Sequence, residues 1–477
     1  MLVGTPCFPA LLTLPLGRPE QPSLFQKGVC VPPAFAVGDL PTVDPQILRE
    51  QAAKVLRDND IGTMVTAAPA LYPHMWSWDA AFVAMGLTRL SVPRAIQELR
   101  NLLEAQWDSG LIPHIVFSDA PGYFPDVNRW GTIGASPEGV RSSGICQPPV
   151  HAIALRFVLD AARDVGGEVQ DDAERFLTQT FDRWVAWHRW LARARDPEGV
   201  GLLEIHHGWE SGMDNSPRFD GPYSRVLPGD LAPYERTDLK HADASERPSQ
   251  QEYDRYLWLV QQMAEVRFDD DRILEVIDFR VQDVFMSGIM SLACEVLGDL
   301  AEELGRGSDA REQRELAARF AAGVQSTLHP STGLAQDFDV RTGEWLATET
   351  IAGFAPLLCS SHGATRRRQW EVLRSDRWLA HPALRFALIP STSPASDAYR
   401  PRTYWRGPVW PVMNWFLAWA CRSHGEQGEY GKLREQALAQ LADLQFGEYY
   451  EPSTGEPLGS SQQSWTAAVA LLWLDRQ

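Results

Sequence analysis

The sequence of 477 residues contains no apolar run of the roughly 18 residues that a membrane-crossing helix needs. Its six cysteines, Cys7, Cys30, Cys146, Cys294, Cys359 and Cys421, are scattered. No close pair offers a zinc site or a redox motif, and reduced core thiols are expected rather than a disulfide framework. There is no Asn-x-Ser/Thr acceptor, and the opening MLVGTPCFPALLTLPLG has an apolar stretch broken by prolines but no basic flank. A poorly ordered extension over residues 1–40 is expected there, not a secretory signal, and a cytoplasmic location with it. Positive charge is also short. The chain has 44 basic against 62 acidic residues, a net charge of -18. Such a surface repels phosphate backbones and anionic lipid, which disfavours nucleic acid and membrane partners. Strand-like alternation is limited to 201–205 and 384–389.

Tryptophan, by contrast, is plentiful, with 18 copies. Many sit beside carboxylates, amides and prolines instead of in apolar stripes, the pattern of a sugar pocket in which flat rings face C–H groups and polar groups hold hydroxyls. Helical spacing pervades the rest. Asp44-Pro45 starts a helix towards Leu56. Three- and four-residue apolar spacing recurs in 79–90, 93–106, 149–164, 172–193, 252–268, 282–304, 309–327, 408–421, 430–444 and 464–474. The connections 107–147, 206–250 and 375–407 are longer than compact domains normally carry without function. One all-α barrel over 41–477, with catalytic loops at one end, is the simplest prediction. Two stacked helical domains are the alternative.

Five segments carry unusual chemistry. In Tyr72-Pro73-His74-Met75-Trp76-Ser77-Trp78-Asp79, Asp79 serves either as an N-cap or as an acceptor for sugar hydroxyls among Tyr72, Trp76 and Trp78. Gln147 precedes two prolines and either opens a helix or binds a polyol. Gly208–Arg218 contains Trp209, Glu210 and Asp214. Asp214 there either forms an Asx-turn or, buried beside Trp209 and a second carboxylate, has the raised pKa of a general acid. In Tyr404-Trp405-Arg406-Gly407-Pro408, Arg406 is either stacked or a substrate contact. Lastly, Glu448, Glu451 and Glu456 compete as general base ahead of Gln463-Ser464-Trp465-Thr466.

In this order, over roughly residues 70–470, the segments resemble the inverting glycosidases of glycoside hydrolase family 63 and their trehalase-like relatives, which are (α/α)6 barrels. The likeness implies that Asp214, in Trp209–Asp214, is the acid, and that Glu448, in Glu448-Tyr449-Tyr450, is the base. Within the group, the chain is most similar to the mannosylglycerate and glucosylglycerate hydrolases. Arg247–Tyr256 resembles their glycerate-binding stretch, which implies that Arg247, Tyr253 and Tyr404 hold a carboxylate. An arginine fork suits that task. The N-terminal arm and Met213 depart from the group's pattern.

The expected reaction is single-displacement hydrolysis, with Asp214 protonating the glycosidic oxygen while Glu448 deprotonates water on the opposite ring face. Tyr72, Trp76, Trp78, Asp79, Gln147, Trp209, Trp405 and Gln463 are expected around the sugar, with an anionic aglycone beyond it and neither metal nor other cofactor. Three rival readings remain: a different trehalase-like α-glucosidase, an epimerase that would use histidines such as His74, His206 and His207, and a non-catalytic sugar-binding protein.

Overall fold

The computed structural model describes residues 40–240, 243–360 and 363–475, so the expected extension over 1–40, with Cys7 and Cys30, lies outside the described residues except for Leu40. Residues from Pro41 onward form one compact unit. Six helical segments make its inner ring: Ser77–Leu87, His151–Val165, Val284–Glu303, the 3-10 segment Ile351–Leu357, Pro411–Ser423 and Ser464–Trp473. Each packs on the next, and the last packs on the first. Behind them stand Val92–Glu104, Gly167–Ala194, Gly307–Ser326, Gly363–Leu373, Gln427–Gln440 and Pro45–Asp58, one outer helix to each inner segment. The chain is an (α/α)6 barrel.

The two rings differ in sequence because they differ in burial. Every residue of Ser77–Leu87 and of Ser464–Trp473 is buried, and both helices are apolar on all sides. Val92–Glu104 instead buries one stripe, Val92, Ala95, Ile96, Leu99, Leu102 and Leu103, at three- and four-residue spacing. The outer helices Pro45–Asp58 and Val92–Glu104 start behind Asp44 and Ser91, whose side chains accept from the N–H of Gln46 and Arg94. Against the expectation that no segment would qualify, inner Val284–Glu303, although interrupted by Glu295 and Asp299, is long and apolar enough to cross a membrane, yet 83% of its apolar window is buried inside the protein. Its composition therefore follows from its place in the ring.

Two barrel elements escape the periodicity. Ile351–Leu357 has only seven residues and contains Pro356. Gly363–Leu373 carries three successive arginines and buries only Gln369, Trp370 and Leu373. The predicted helix at 252–268 exists as Gln250–Glu265 but belongs to an excursion between inner segments. The alternation at 201–205 becomes Leu203–Ile205, the first strand of a four-stranded antiparallel sheet with Val281–Asp283, Asp337–Asp339 and Glu344–Leu346. At 384–389 no strand forms; bends run there instead.

Candidate active site

Asp79 lies in the first turn of one inner helix, Gln463 is the N-cap of another, and Gln147 lies just before a third. All three line one cavity of about 360 Å³, which sits at the N-terminal end of the inner ring. Short antiparallel ribbons hold the loops around it: Met75–Trp76 pairs with Ile115–Val116, and Tyr449–Tyr450 with Pro457–Leu458. Asn59 Nδ2 donates to Ser464 Oγ at 2.8 Å, tying the first outer helix to the start of the last inner one.

The structure brings Asp214 and Glu448 to this same cavity, with Tyr72, Trp76, Trp78, Trp405 and Tyr404 around them. Among the described residues, no hydrogen bond joins the two carboxyls. Asp214 follows the 3-10 turn Gly208–Ser211, which ends at Gly212 in the left-handed region, φ +70°. A Cβ on Gly212 would fall 2.6 Å from the Trp78 ring, so both the backbone and the tryptophan require glycine here. Met213, the departure noted in the acid loop, is fully buried. Burial first, and then the Glu448 carboxylate, push the Asp214 carboxyl up to about 7 against the opposing pull of Arg247.

The second carboxylate beside Asp214 is thus Glu448 and not Glu210. Glu210 is fully buried and takes two hydrogen bonds from Arg195, at 3.2 and 2.9 Å, and one from the His206 N–H at 2.7 Å. Burial works to raise its carboxyl, but Arg195, then His206, hold it down at about 2. It is a structural ion.

Glu448 is 2% exposed. Its Oε2 accepts from the Ser460 N–H at 3.0 Å and its Oε1 from the Tyr72 hydroxyl at 3.1 Å. Burial raises this carboxyl, while Arg247, Ser460 and Tyr72 favour its charged form. The competing glutamates have other work. Glu451 accepts from the Ser453 and Thr454 N–H groups within its own turn, and Glu456 pairs with Arg402. Asp79 faces both Asp214 and Glu448, and burial together with these two charges, Glu448 the larger, raises its carboxyl well above the usual range. Burial and the two neighbouring carboxyls thus favour its protonated form, in which it can donate as well as accept.

The walls are aromatic. Trp405 stacks on Trp410 with centroids 3.7 Å apart, and Trp78 meets the edge of Trp465 at 5.4 Å. Gln147 Oε1 accepts from Ser77 Oγ and the Trp78 N–H, both at 3.3 Å, which leaves its NH2 as the group offered to the cavity. Arg406, by contrast, is drawn into an ion pair with Asp220. His206 pairs with Glu204, His207 bonds the Tyr256 carbonyl and His74 bonds Ser118, so each histidine is engaged with a different partner.

A second cavity of about 680 Å³ shares Tyr72, Trp76, Gln147, Asp214 and Tyr404 with the first and adds Trp209, Arg247 and Tyr253. Trp209 therefore stands on the outer side of the acid and not around the innermost space. Arg247 stacks over the Tyr404 ring at 4.2 Å, donates from Nη1 to the Tyr72 oxygen at 3.0 Å and from Nε to Asp238 at 3.4 Å. Its sequence neighbours take no part in this: Glu246 pairs with Arg402, and Glu252 caps Ser249. Asp238 also binds Arg236 through two hydrogen bonds, at 3.0 and 2.7 Å, and Arg236 stacks over Tyr253 at 4.4 Å. Thr237, Asp238 and Tyr123 were not foreseen in the lining, and nothing in their local sequence marks them. Trp465, beside Gln463 in a quoted motif, was the more findable omission.

A family model described as "Mannosylglycerate hydrolase MGH1-like glycoside hydrolase domain" matches residues 72–466. The chain is 52% identical to the glucosylglycerate hydrolase of Mycolicibacterium hassiacum over 91% of its own length and 99% of the relative's. It is 38% identical to the mannosylglycerate hydrolase of Thermus thermophilus, over 89% and 99%. Among solved structures, it is similar to a Thermus thermophilus mannosylglycerate hydrolase of family 63 in complex with Tris and D-glycerate. That match has a TM-score of 0.83 and 37% identity, covering 90% of this chain and 100% of the other.

Proposed function

The chain belongs to the mannosylglycerate hydrolase MGH1-like glycoside hydrolase family, and from that premise we propose that it hydrolyses glucosylglycerate or mannosylglycerate with inversion, Asp214 serving as general acid and Glu448 as general base. The observation that carries this reading is the meeting of two carboxyls, distant in sequence, in one aromatic-walled cavity with Arg247 on the outer side. Their surroundings divide the roles. With its carboxyl at about 7, a large fraction of Asp214 remains protonated near neutral pH and can give its proton to the departing oxygen. Glu448 has a donor on each oxygen, which favours its ionised form against burial and orients it to take a proton from water.

The sugar ring would occupy the inner cavity against Trp78, Trp405 and Trp76, with Asp79, Gln147 and Gln463 on its hydroxyls. The glycerate would lie outside Asp214, its carboxylate on Arg247 with Tyr253 and Tyr404 beside it. The thiols of Cys146, Cys294, Cys359 and Cys421 are free and buried, which supports a cytoplasmic setting.

Anomer-resolved NMR with glucosylglycerate and mannosylglycerate tests the reading. The first-formed sugar should have the β configuration. Asp214→Asn and Glu448→Gln should each lower kcat by roughly a hundredfold or more, the order expected for losing a positioned acid or base. Retained configuration, or full turnover in either variant, would remove the assignment.

A further inference from the structure

The two cavities are joined by more than shared walls. One hydroxyl, that of Tyr72, accepts from Arg247 Nη1 at 3.0 Å and donates to Glu448 Oε1 at 3.1 Å. The Tyr404 hydroxyl lies 3.5 Å from it, and the Tyr404 ring is the surface on which Arg247 stacks. An unbroken path, guanidinium to phenol to carboxylate, thus runs from the outer cavity to the inner one. Hydrogen bonds in such a chain polarise each other: a cation on the phenol oxygen makes its O–H a stronger donor.

We propose that Tyr72 is a positioning residue that makes the aglycone's carboxylate a condition of turnover and not of binding alone. The inference rests on the assignment of Glu448 as base and Arg247 as carboxylate site. With no bound anion in the outer cavity, Arg247, held by Asp238 only through a long 3.4 Å contact at Nε, pulls through Nη1 on the Tyr72 oxygen, and Tyr72 in turn binds the base tightly and lowers its basicity. An anionic aglycone neutralises Arg247. The Tyr72–Glu448 bond then relaxes, and Glu448 becomes the stronger base towards water.

The other groups that face Glu448 do not reverse the effect. The Ser460 N–H is a fixed donor on the other oxygen. Asp79 and Asp214 are carboxyls that favour their neutral forms, and Tyr404 and Tyr449 are neutral phenols. Arg247 is the one cation among these influences on both Asp214 and Glu448, so its neutralisation favours the protonated acid as well. No atom is transferred through Tyr72. It keeps its proton throughout, and burial holds the phenol well above its ordinary range.

The test compares glucosylglycerate with neutral α-glucosylglycerol in the wild type and in Tyr72→Phe, reading kcat separately from KM. In the wild type, kcat itself should fall for the neutral substrate by roughly ten- to a hundredfold, the span of one charge-assisted hydrogen bond. In Tyr72→Phe the gap between the two kcat values should narrow severalfold, leaving only the direct charge effect of Arg247 on the two carboxyls, while the difference in KM persists because Arg247 is intact. α-Glucosyl fluoride provides a second readout that needs no aglycone. Added D-glycerate should accelerate its hydrolysis by the wild type and do so severalfold less in Tyr72→Phe. A wild type whose preference lies only in KM overturns the coupling but leaves the proposed reaction standing, as does Tyr72→Phe with an unchanged kcat ratio, or glycerate that only inhibits. A wild type that does not cleave glucosylglycerate at all removes the proposed reaction itself.

Discussion

A carboxyl group in this protein takes its role from its nearest partners. Glu210 and Asp214 are four residues apart in one loop, yet their carboxyls sit at about 2 and about 7. Arg195 and a backbone N–H reach the first, whereas burial, with help from Glu448, outweighs Arg247 at the second. Two outcomes follow at this scale. Asp214 must be protonated and Glu448 ionised, so kcat/KM should trace a bell. As pH rises through about 7, the free enzyme loses the acid proton and activity falls tenfold per further unit. The acidic limb should stand above the usual glutamate value because burial raises Glu448. In Asp214→Asn the residual rate should lack the alkaline limb, and a limb that persists near pH 7 would give that ionisation to another group. Arg195→Met, by contrast, would leave Glu210 buried without its cation. It should destabilise the fold by about 3–5 kcal/mol in denaturant titration, the cost of breaking a buried pair. A loss below about 1 kcal/mol would mean that solvent reaches Glu210.

At the scale of elements, helix spacing is legible where an element must bury a stripe and fades where it need not. The run 93–106 announces itself through Ala95, Ile96, Leu99, Leu102 and Leu103. Ile351–Leu357 hides because seven buried residues with an internal proline have room for neither a period nor a cap. The same contrast governs the site. Motif likeness singles out Asp214 and Glu448, and the prolines behind it single out Gln147, all of which line one cavity, but Asp238 lies in a polar loop and acquires meaning only by gathering Arg236 and Arg247 in space. Asp79, singled out by its tryptophans, does line the cavity, but the two carboxyls from distant segments that raise its own carboxyl could not be read from its local sequence. Gly212 tests the acid loop as an element. Gly212→Ala needs φ +70° and a Cβ 2.6 Å from the Trp78 ring. It should lower kcat by more than tenfold while the global unfolding midpoint falls only modestly, because the strain, about 1–3 kcal/mol, is placed beside Asp214. Wild-type kcat in this variant would show that the turn does not set the position of the acid.

For the molecule as a whole, closing the ring and building the site are one event. The first inner helix, Ser77–Leu87, carries Asp79, and the last, Ser464–Trp473, follows Gln463; the two meet where the barrel shuts. Their approach is close because Gly86 has no side chain: a Cβ there would lie 2.5 Å from Ala468 Cα and Cβ. Gly86→Ala should therefore cost about 1–3 kcal/mol as an overpacked contact, even though alanine is the better helix former. Ala468→Gly removes the methyl on the facing side and weakens its own helix by about 1 kcal/mol. If the seam is the cause, the two changes will not add: the double variant should regain stability and activity relative to Gly86→Ala, with a coupling of about 0.5 kcal/mol or more in a double-mutant cycle. Activity belongs in the same cycle, since a widened seam separates Asp79 from Gln463 at the mouth of the inner cavity. Strict additivity in both stability and kcat would show that the Ala468 methyl is not what governs how the barrel closes around its substrate.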